Sequence, residues 1–156
     1  MEITRFLLCY SDLAQKGFAV QLDPSAFLAD PELIQALEKR STPVPCDQER
    51  VLFRQGDPPV GLYILGQGSV TVSMDSGHED ISFSCTAIPG SLLGLPGLIA
   101  NQPYSLTAVA RKGATVGFID REEFNTLMQT ELPLMVKILQ VLAAEVRSAR
   151  LAITRA

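Results

Sequence analysis

Between residues 42 and 120, glycine, proline, aspartate and asparagine divide the sequence into short apolar segments, and this pattern constrains the fold most strongly. Six segments have the length of β-strands: VLF at 51–53, LYIL at 62–65, SVTVSM at 69–74, ISFSCTAI at 81–88, SLTAVA at 105–110 and ATVGFI at 114–119. In the third, Val70, Val72 and Met74 alternate with polar residues, as in a half-buried strand. Strands at such close spacing predict a small antiparallel barrel or sandwich and exclude repeated βαβ units.

Helical signals flank this region on both sides. Before it, Asp30 is a suitable N-cap for a helix that begins at Pro31, whereas we expect 1–23 to be helical or irregular. After it, Asp120 can cap a short helix, and a longer helix follows Leu132. The prediction is one mainly β, α+β domain built on an antiparallel β-roll, a double-stranded β-helix of jelly-roll type. It divides into an N-terminal helical segment at 1–41, the roll at 42–120 and C-terminal helices, the last one long, at 121–156.

The last helix carries an apolar stripe that we expect to form a dimer interface. The stripe recurs at helical spacing and consists of Met135, Ile138, Leu139, Leu142, Val146 and Ala149. Polar residues, Glu145 among them, are expected on the other faces of the helix. The stripe can pack onto the roll, onto the same helix of a second subunit, or onto both. The small residues Ala143 and Ala144 permit close approach, and we therefore predict a homodimer.

Composition limits the partners and the compartment. The 156 residues are 47% hydrophobic and 19% charged, as in an ordinary globular domain. A net charge of −4 offers no basic footprint for nucleic acid, so we predict no direct DNA binding. The three cysteines are odd in number and widely spaced, which favours a reducing cytoplasm. No signal peptide and no apolar run of membrane-span length is present, so we predict no membrane association.

The sequence offers no recognisable catalytic or metal centre. Its one histidine, His78, excludes a His-based metal site of the cupin type. The thiols of Cys9, Cys46 and Cys85 are too few and too scattered to hold an iron–sulfur cluster. No serine lies in a G-x-S-x-G turn. We therefore predict that the chain is not an enzyme and holds neither a metal nor a cofactor.

The segment VLFRQGDPPVGLYILGQGSVTV at 51–72 resembles the first half of the cyclic-nucleotide-binding domain in the Crp/Fnr, or catabolite activator, superfamily. That pattern consists of a Gly-Asp turn, a Tyr-containing strand, a Gly turn and a Val-rich strand, here Gly56-Asp57, Tyr63, Gly68 and Val70. GSLLGLPGL at 90–98 resembles the family's phosphate-binding cassette, and the last helix resembles the C-terminal helix that pairs in its dimers. Full-length regulators continue into a helix-turn-helix domain, whereas this sequence stops at 156, so we expect a stand-alone module.

The resemblance implies a ligand site at the cassette. The site residues that it implies are Gly94, Leu95, Pro96, Gly97, Leu98, Tyr104, Ser105 and Thr107. In members that bind cyclic nucleotides, a glutamate after the first glycine holds the ribose, and an arginine about ten residues later holds the phosphate. Here the glutamate position is Leu95, and the arginine position is Tyr104 or, with a one-residue shift, Ser105. We therefore expect a degenerate nucleotide site.

Three functions stay open at this point. The first is a regulatory or sensor module that acts through dimerisation or a protein partner of unknown identity, with a pocket for another small molecule such as an apolar or aromatic carboxylate. The second is a structural interaction domain whose pocket is filled by the leucine-rich cassette, namely Leu92, Leu93, Leu95, Leu98 and Ile99. The third is a true cyclic nucleotide binder, in which Arg54, Arg111 or Lys112 replaces the missing arginine.

Overall fold

A computed structural model describes residues 23–75 and 82–155 of the chain. The predicted N-terminal segment up to residue 22 and the polar hairpin at 76–81 lie outside the described residues. Within the described ranges, the strands are β1 (Thr42–Val44), β2 (Arg50–Phe53), β3 (Gly61–Gln67), β4 (Val70–Asp75), β5 (Ser82–Ala87), β6 (Leu92–Leu93), β7 (Thr107–Ala110) and β8 (Thr115–Asp120). The helices are α1 (Pro31–Glu38), α2 (Leu95–Ala100), α3 (Arg121–Thr130) and α4 (Leu132–Arg155), and a 3₁₀ turn spans Pro24–Phe27.

The strands form two antiparallel four-stranded sheets. The strand order is β1-β8-β3-β6 in the first sheet and β2-β7-β4-β5 in the second. Because neighbours in each sheet are mostly distant in sequence, the chain crosses repeatedly between the two sheets, as in a β-roll. The predicted fold class is confirmed, including the long C-terminal helix. The pattern did not predict β1 or β6, because β1 contains Pro43 and β6 is only two residues long.

Two apolar cores stabilise this arrangement, one on each face of the first sheet. Residues 61–65 of β3 are buried at every position, so this strand separates the cores. Tyr63 and Leu65 point into the inner core between the two sheets. Leu62 and Ile64 point into the outer core, where the helices cover the sheet. The inner core contains the candidate site, and the outer core fixes α2 and α4 beside it.

The predicted helix caps are present and hold the helices in place. The Asp30 carboxylate accepts a hydrogen bond of 2.8 Å from the Leu33 amide, and Asp120 does the same for Glu123 at 2.8 Å. Lys137 of α4 then reaches back to α1, with its Nζ 3.1 Å from Asp30 Oδ2 and 2.7 Å from Glu32 Oε2. Exposed ion pairs of this kind contribute about 0–1 kcal/mol, so apolar packing holds α4 in place.

Candidate ligand-binding site

Tyr104 lies at the centre of the candidate site and is almost fully buried, with 2% of its surface exposed. Its hydroxyl donates a hydrogen bond of 2.6 Å to the Gly61 carbonyl. The same oxygen accepts hydrogen bonds from the amides of Gly61, at 3.0 Å, and Val60, at 3.1 Å. Its ring stacks on Phe53, with ring centroids 4.1 Å apart. Burial raises the pKa of this phenol above its ordinary value, so Tyr104 is neutral at physiological pH.

The start of the cassette is shaped to admit the Tyr104 ring. Gly94 has a φ of 90°, a conformation that L-residues with a side chain rarely adopt. A Cβ atom at this position would lie 2.8 Å from Tyr104 Cε1. The glycine that the family pattern uses beside a ligand therefore makes room here for a side chain of the protein itself.

A small cavity remains beside Tyr104, between the cassette, the 3₁₀ turn and helix α4. Its volume is about 10 Å³, close to the space that one water molecule needs. Most of its walls are apolar or aromatic, and within 23–75 and 82–155 neither lysine nor arginine is among the residues that line it: Phe27, Phe53, Val72, Leu93, Gly94, Pro96, Gly97, Tyr104, Ser105, Leu106 and Glu145. Arg54, Arg111 and Lys112 are exposed elsewhere on the surface.

Glu145 of α4 contributes a carboxyl group to the wall of this cavity. The residue as a whole is partly exposed, but its Oε1 is buried and has no hydrogen-bond partner among the described residues. Burial raises the pKa of Glu145 from the ordinary 4.5 to about 8. The sequence analysis expected this residue on a polar face of the helix, and the structure instead turns it toward the roll.

The predicted cassette residues divide between the two cores. Gly94, Pro96, Gly97, Tyr104 and Ser105 line the cavity. The leucines differ from the expected plug, because Leu92, Leu95, Leu98 and Ile99 pack in the outer core with the helices and only Leu93 faces the inner core. The outer position of Leu95 leaves the inner space to the Tyr104 ring.

Thr107 is absent from the residues that line the cavity. It opens β7, and its hydroxyl accepts a hydrogen bond of 2.9 Å from the Gln55 amide. That contact ties the turn after β2 to β7, which is a structural role for a residue that the sequence assigned to the ligand site.

The residues of the predicted dimer stripe on α4 also fall into two groups, buried and partly exposed. Ile138 is fully buried in the outer core, and Leu142 packs against it. Met135 and Val146 are partly exposed, Leu139 is 42% exposed, and the side chain of Ala149 lies outside the described part of the chain. The outward apolar face of the helix consists instead of Leu132, Val136, Leu139 and Ala143.

The described residues show neither a metal-binding cluster nor a single membrane-spanning helix. They contain no group of three or more His, Cys, Asp or Glu side chains placed to hold a metal ion. None of their helices is by itself long and apolar enough to cross a membrane, although α3 and the part of α4 up to Ser148, bent by 115°, meet that criterion as a pair.

Comparison with known proteins identifies the family. The sequence profile described as "Cyclic nucleotide-binding domain" matches residues 43–131, which is more than half of the chain. The chain belongs to this family. The match begins in β1 and ends after α3, so it includes β2 to β8 and the cassette of the domain.

Several proteins are similar to this cyclic nucleotide-binding domain. Acetyltransferase Pat of Mycolicibacterium smegmatis is 28% identical over 119 residues, which cover 76% of this chain and 33% of Pat. Two solved structures have a TM-score of 0.66 at 25% identity. One is the c-di-GMP-responsive regulator CLP of Xanthomonas campestris, with 81% of this chain and 62% of that chain covered. The other is the Thermus thermophilus catabolite activator protein, with 85% and 62% covered.

The structural relatives confirm the resemblance to Crp/Fnr regulators. The chain nevertheless spans less than two thirds of the length of each of these relatives. Six residues that line the cavity were not among the predicted site residues, and Phe53 and Glu145 are the two whose contacts matter most for the site: Phe27, Phe53, Val72, Leu93, Leu106 and Glu145. Phe53 lies in a predicted strand, and nothing else in the sequence marks it as a site residue. The position of Glu145, in contrast, could have been recognised from the helical spacing. It follows Leu134, Ile138 and Val141 at intervals of four, three and four residues, on the face where an apolar side chain is expected.

Proposed function

We propose that this domain is a regulatory sensor module that does not take a cyclic nucleotide, and that it acts through dimerisation or a protein partner. The observation that carries this proposal is the position of Tyr104. By resemblance, this residue occupies the place of the phosphate-binding arginine, and its hydroxyl is hydrogen-bonded to the backbone of Val60 and Gly61. An uncharged, internally satisfied phenol offers no counter-ion to a phosphate.

Tyrosine at the place of the phosphate-binding arginine carries a substantial energetic cost for phosphate binding. A hydrogen bond between charged groups contributes about 1.5–3 kcal/mol, so the missing arginine weakens phosphate binding by roughly 10- to 100-fold. Where ionised, the Glu145 carboxylate adds repulsion, because it lies on the wall of the same cavity. A cavity of about 10 Å³ is also far too small for a nucleotide unless Tyr104 leaves its place. The Glu145 carboxylate also disfavours binding of the apolar or aromatic carboxylate that the sequence analysis considered as a ligand.

The outward face of α4 supports the dimerisation part of the proposal. Leu132 is 63% exposed, Val136 48% and Leu139 42%, and these residues follow one another along the helix at spacings of four and three. Three large apolar side chains in one row favour burial against a second copy of the helix. The predicted homodimer therefore uses this row, to which only Leu139 of the originally expected stripe belongs.

A structural interaction domain without any ligand is the second candidate. The small cavity and the stacked rings of Phe53 and Tyr104 favour it, because they nearly fill the inner core. In either case we propose a non-catalytic, cytoplasmic protein. Similarity to Pat carries no catalytic assignment, because the match covers only 33% of that acetyltransferase.

Thermal unfolding in the presence of cyclic AMP, cyclic GMP and cyclic dinucleotides tests this proposal. A ligand at about 100 times its Kd stabilises a folded protein by about 2.7 kcal/mol, which for this size is a rise in Tm of roughly 5–10 °C. We expect no rise with any of these nucleotides at millimolar concentration. A clear, saturable rise with one of them would refute the degenerate site.

A further inference from the structure

One side chain on the inward face of α4 is acidic, whereas its neighbours on that face are apolar. Leu134, Ile138 and Val141 are apolar and pack in the outer core. Glu145 continues the same face one turn later, where the helix passes the cavity beside the cassette. Its Oε1 is buried, and no donor among the described residues reaches it. A buried carboxylate without a partner is costly, so this position calls for a proton or for a cation from outside the chain.

The cavity that Glu145 lines has the size and the walls of a site for a small cation. Its volume of about 10 Å³ matches one water molecule, and an ammonium head group is of similar size. Phe27 and Phe53 supply aromatic walls, which favour a nearby cation. Neither lysine nor arginine is among the described residues that line it, so no cation of the described part of the wall opposes the charge of Glu145.

A ligand can reach this carboxyl group from the surface and change its protonation. Glu145 and Ser105 are both partly exposed, which places the cavity near the surface rather than deep in the roll. Among the described residues of the wall, the other titratable side chain is Tyr104, and its hydroxyl is already engaged with Gly61 and Val60. Glu145 is therefore the group of this wall whose protonation a ligand can change.

We propose that this cavity binds the ammonium group of a small primary amine, with the Glu145 carboxylate as its counter-ion and hydrogen-bond acceptor. The amine binds as its ammonium ion, and the proton on Glu145 is released to solvent. The N–H groups of the ammonium ion donate to the carboxylate oxygens, while its carbon stem extends toward the surface beside Ser105. The inference rests on the proposed function, because it assigns a cationic ligand to the pocket that lacks a site for an anionic nucleotide.

Methylammonium chloride is the first probe, and tetramethylammonium chloride, which has no N–H donor, is its matched control at the same ionic strength. Titration calorimetry on the full chain should show saturable binding of methylammonium alone. Because Glu145 has a pKa of about 8, its ionised fraction rises about tenfold between about pH 7 and about pH 9. Methylammonium stays charged over this range, so its affinity should rise about tenfold as well.

Two variants complete the test. Glu145→Gln removes the charge and should abolish methylammonium binding, whereas the exposed Glu122→Gln should leave it unchanged. Equal responses to methylammonium and tetramethylammonium, no binding at either pH, or binding that survives in Glu145→Gln would overturn the inference. Cyclic AMP is titrated in parallel. If neither ligand binds, the amine site fails while the proposed function stands; if cyclic AMP binds, the proposed function itself fails.

Discussion

Burial of the Glu145 carboxyl group makes the stability of the fold depend on pH, and comparison with the substitution Glu145→Gln measures that dependence. Burial raises the pKa of Glu145 in the folded protein to about 8, from an ordinary value of 4.5. The folded state therefore holds this proton more tightly than the unfolded state does. The contribution of the protonated form to stability is complete below about pH 4.5 and is lost progressively as the pH rises to about 8. Glutamine cannot ionise, so the variant lacks this loss.

The size of this change in the free energy of unfolding follows from the pH interval between the two pKa values. Each pH unit between the two pKa values changes the free energy of unfolding by about 1.4 kcal/mol. Between about pH 5 and about pH 7, the stability of the wild type relative to Glu145→Gln should therefore fall by about 3 kcal/mol, or roughly 6–12 °C in Tm. Asp30 and Lys137 do not interfere. The Leu33 amide lowers the pKa of Asp30, and Glu32 raises that of Lys137, so both titrate outside the window.

Urea unfolding of both proteins at several pH values across this window measures the difference directly. Taking the difference between wild type and variant cancels titrations common to both. The exposed Glu122→Gln serves as the control and should follow the wild type at every pH. Parallel stability curves for the wild type and Glu145→Gln would refute the burial of this carboxyl group.

Three further outcomes follow from the same structure. Tyr104→Phe removes the hydroxyl that serves two amides and one carbonyl, and urea unfolding should show a loss of about 1–3 kcal/mol; unchanged stability would contradict those bonds. Gly94→Ala should cost about 1–3 kcal/mol more than Gly113→Ala, because both positions have positive φ but only the first Cβ meets a ring; equal losses would argue against that contact. Leu139→Asp should convert a dimer to the 16.9 kDa monomer in sedimentation velocity, whereas the neighbouring, exposed Gln140→Asp should not; a monomeric wild type would remove the proposed interface.

The sequence was sufficient for the elements that depend on local signals. Turn residues and alternation marked most of the strands, and the caps at Asp30 and Asp120 marked the helix starts. β3 was recognisable as a strand although it does not alternate, because it is buried on both faces between the two cores. Such a strand appears as a continuous apolar run, so its length and its flanking glycines identify it rather than its period.

The content of the pocket was harder to predict, because it depends on contacts between distant segments. The cassette leucines are as apolar as a plug would be, and only the fold shows that most of them face the outer core. Tyr104 fills the site because Phe53, 51 residues earlier, supplies the stacking partner and Gly94 leaves the space. Glu145 was likewise expected on a polar face of α4 but lies in the cavity wall. A helix pattern by itself does not distinguish a face that packs on its own domain from a face that packs on a partner.

The central claim is that Tyr104 replaces the phosphate-binding arginine, and calorimetric titration with cyclic AMP tests it most directly. The wild type should give no binding heat, and Tyr104→Arg, which restores the charge and vacates the stacked ring, should bind more tightly than the uncharged Tyr104→Gln by at least about tenfold. Saturable binding of cyclic AMP to the wild type would contradict the account, because it would require a phosphate site that none of the described residues supplies.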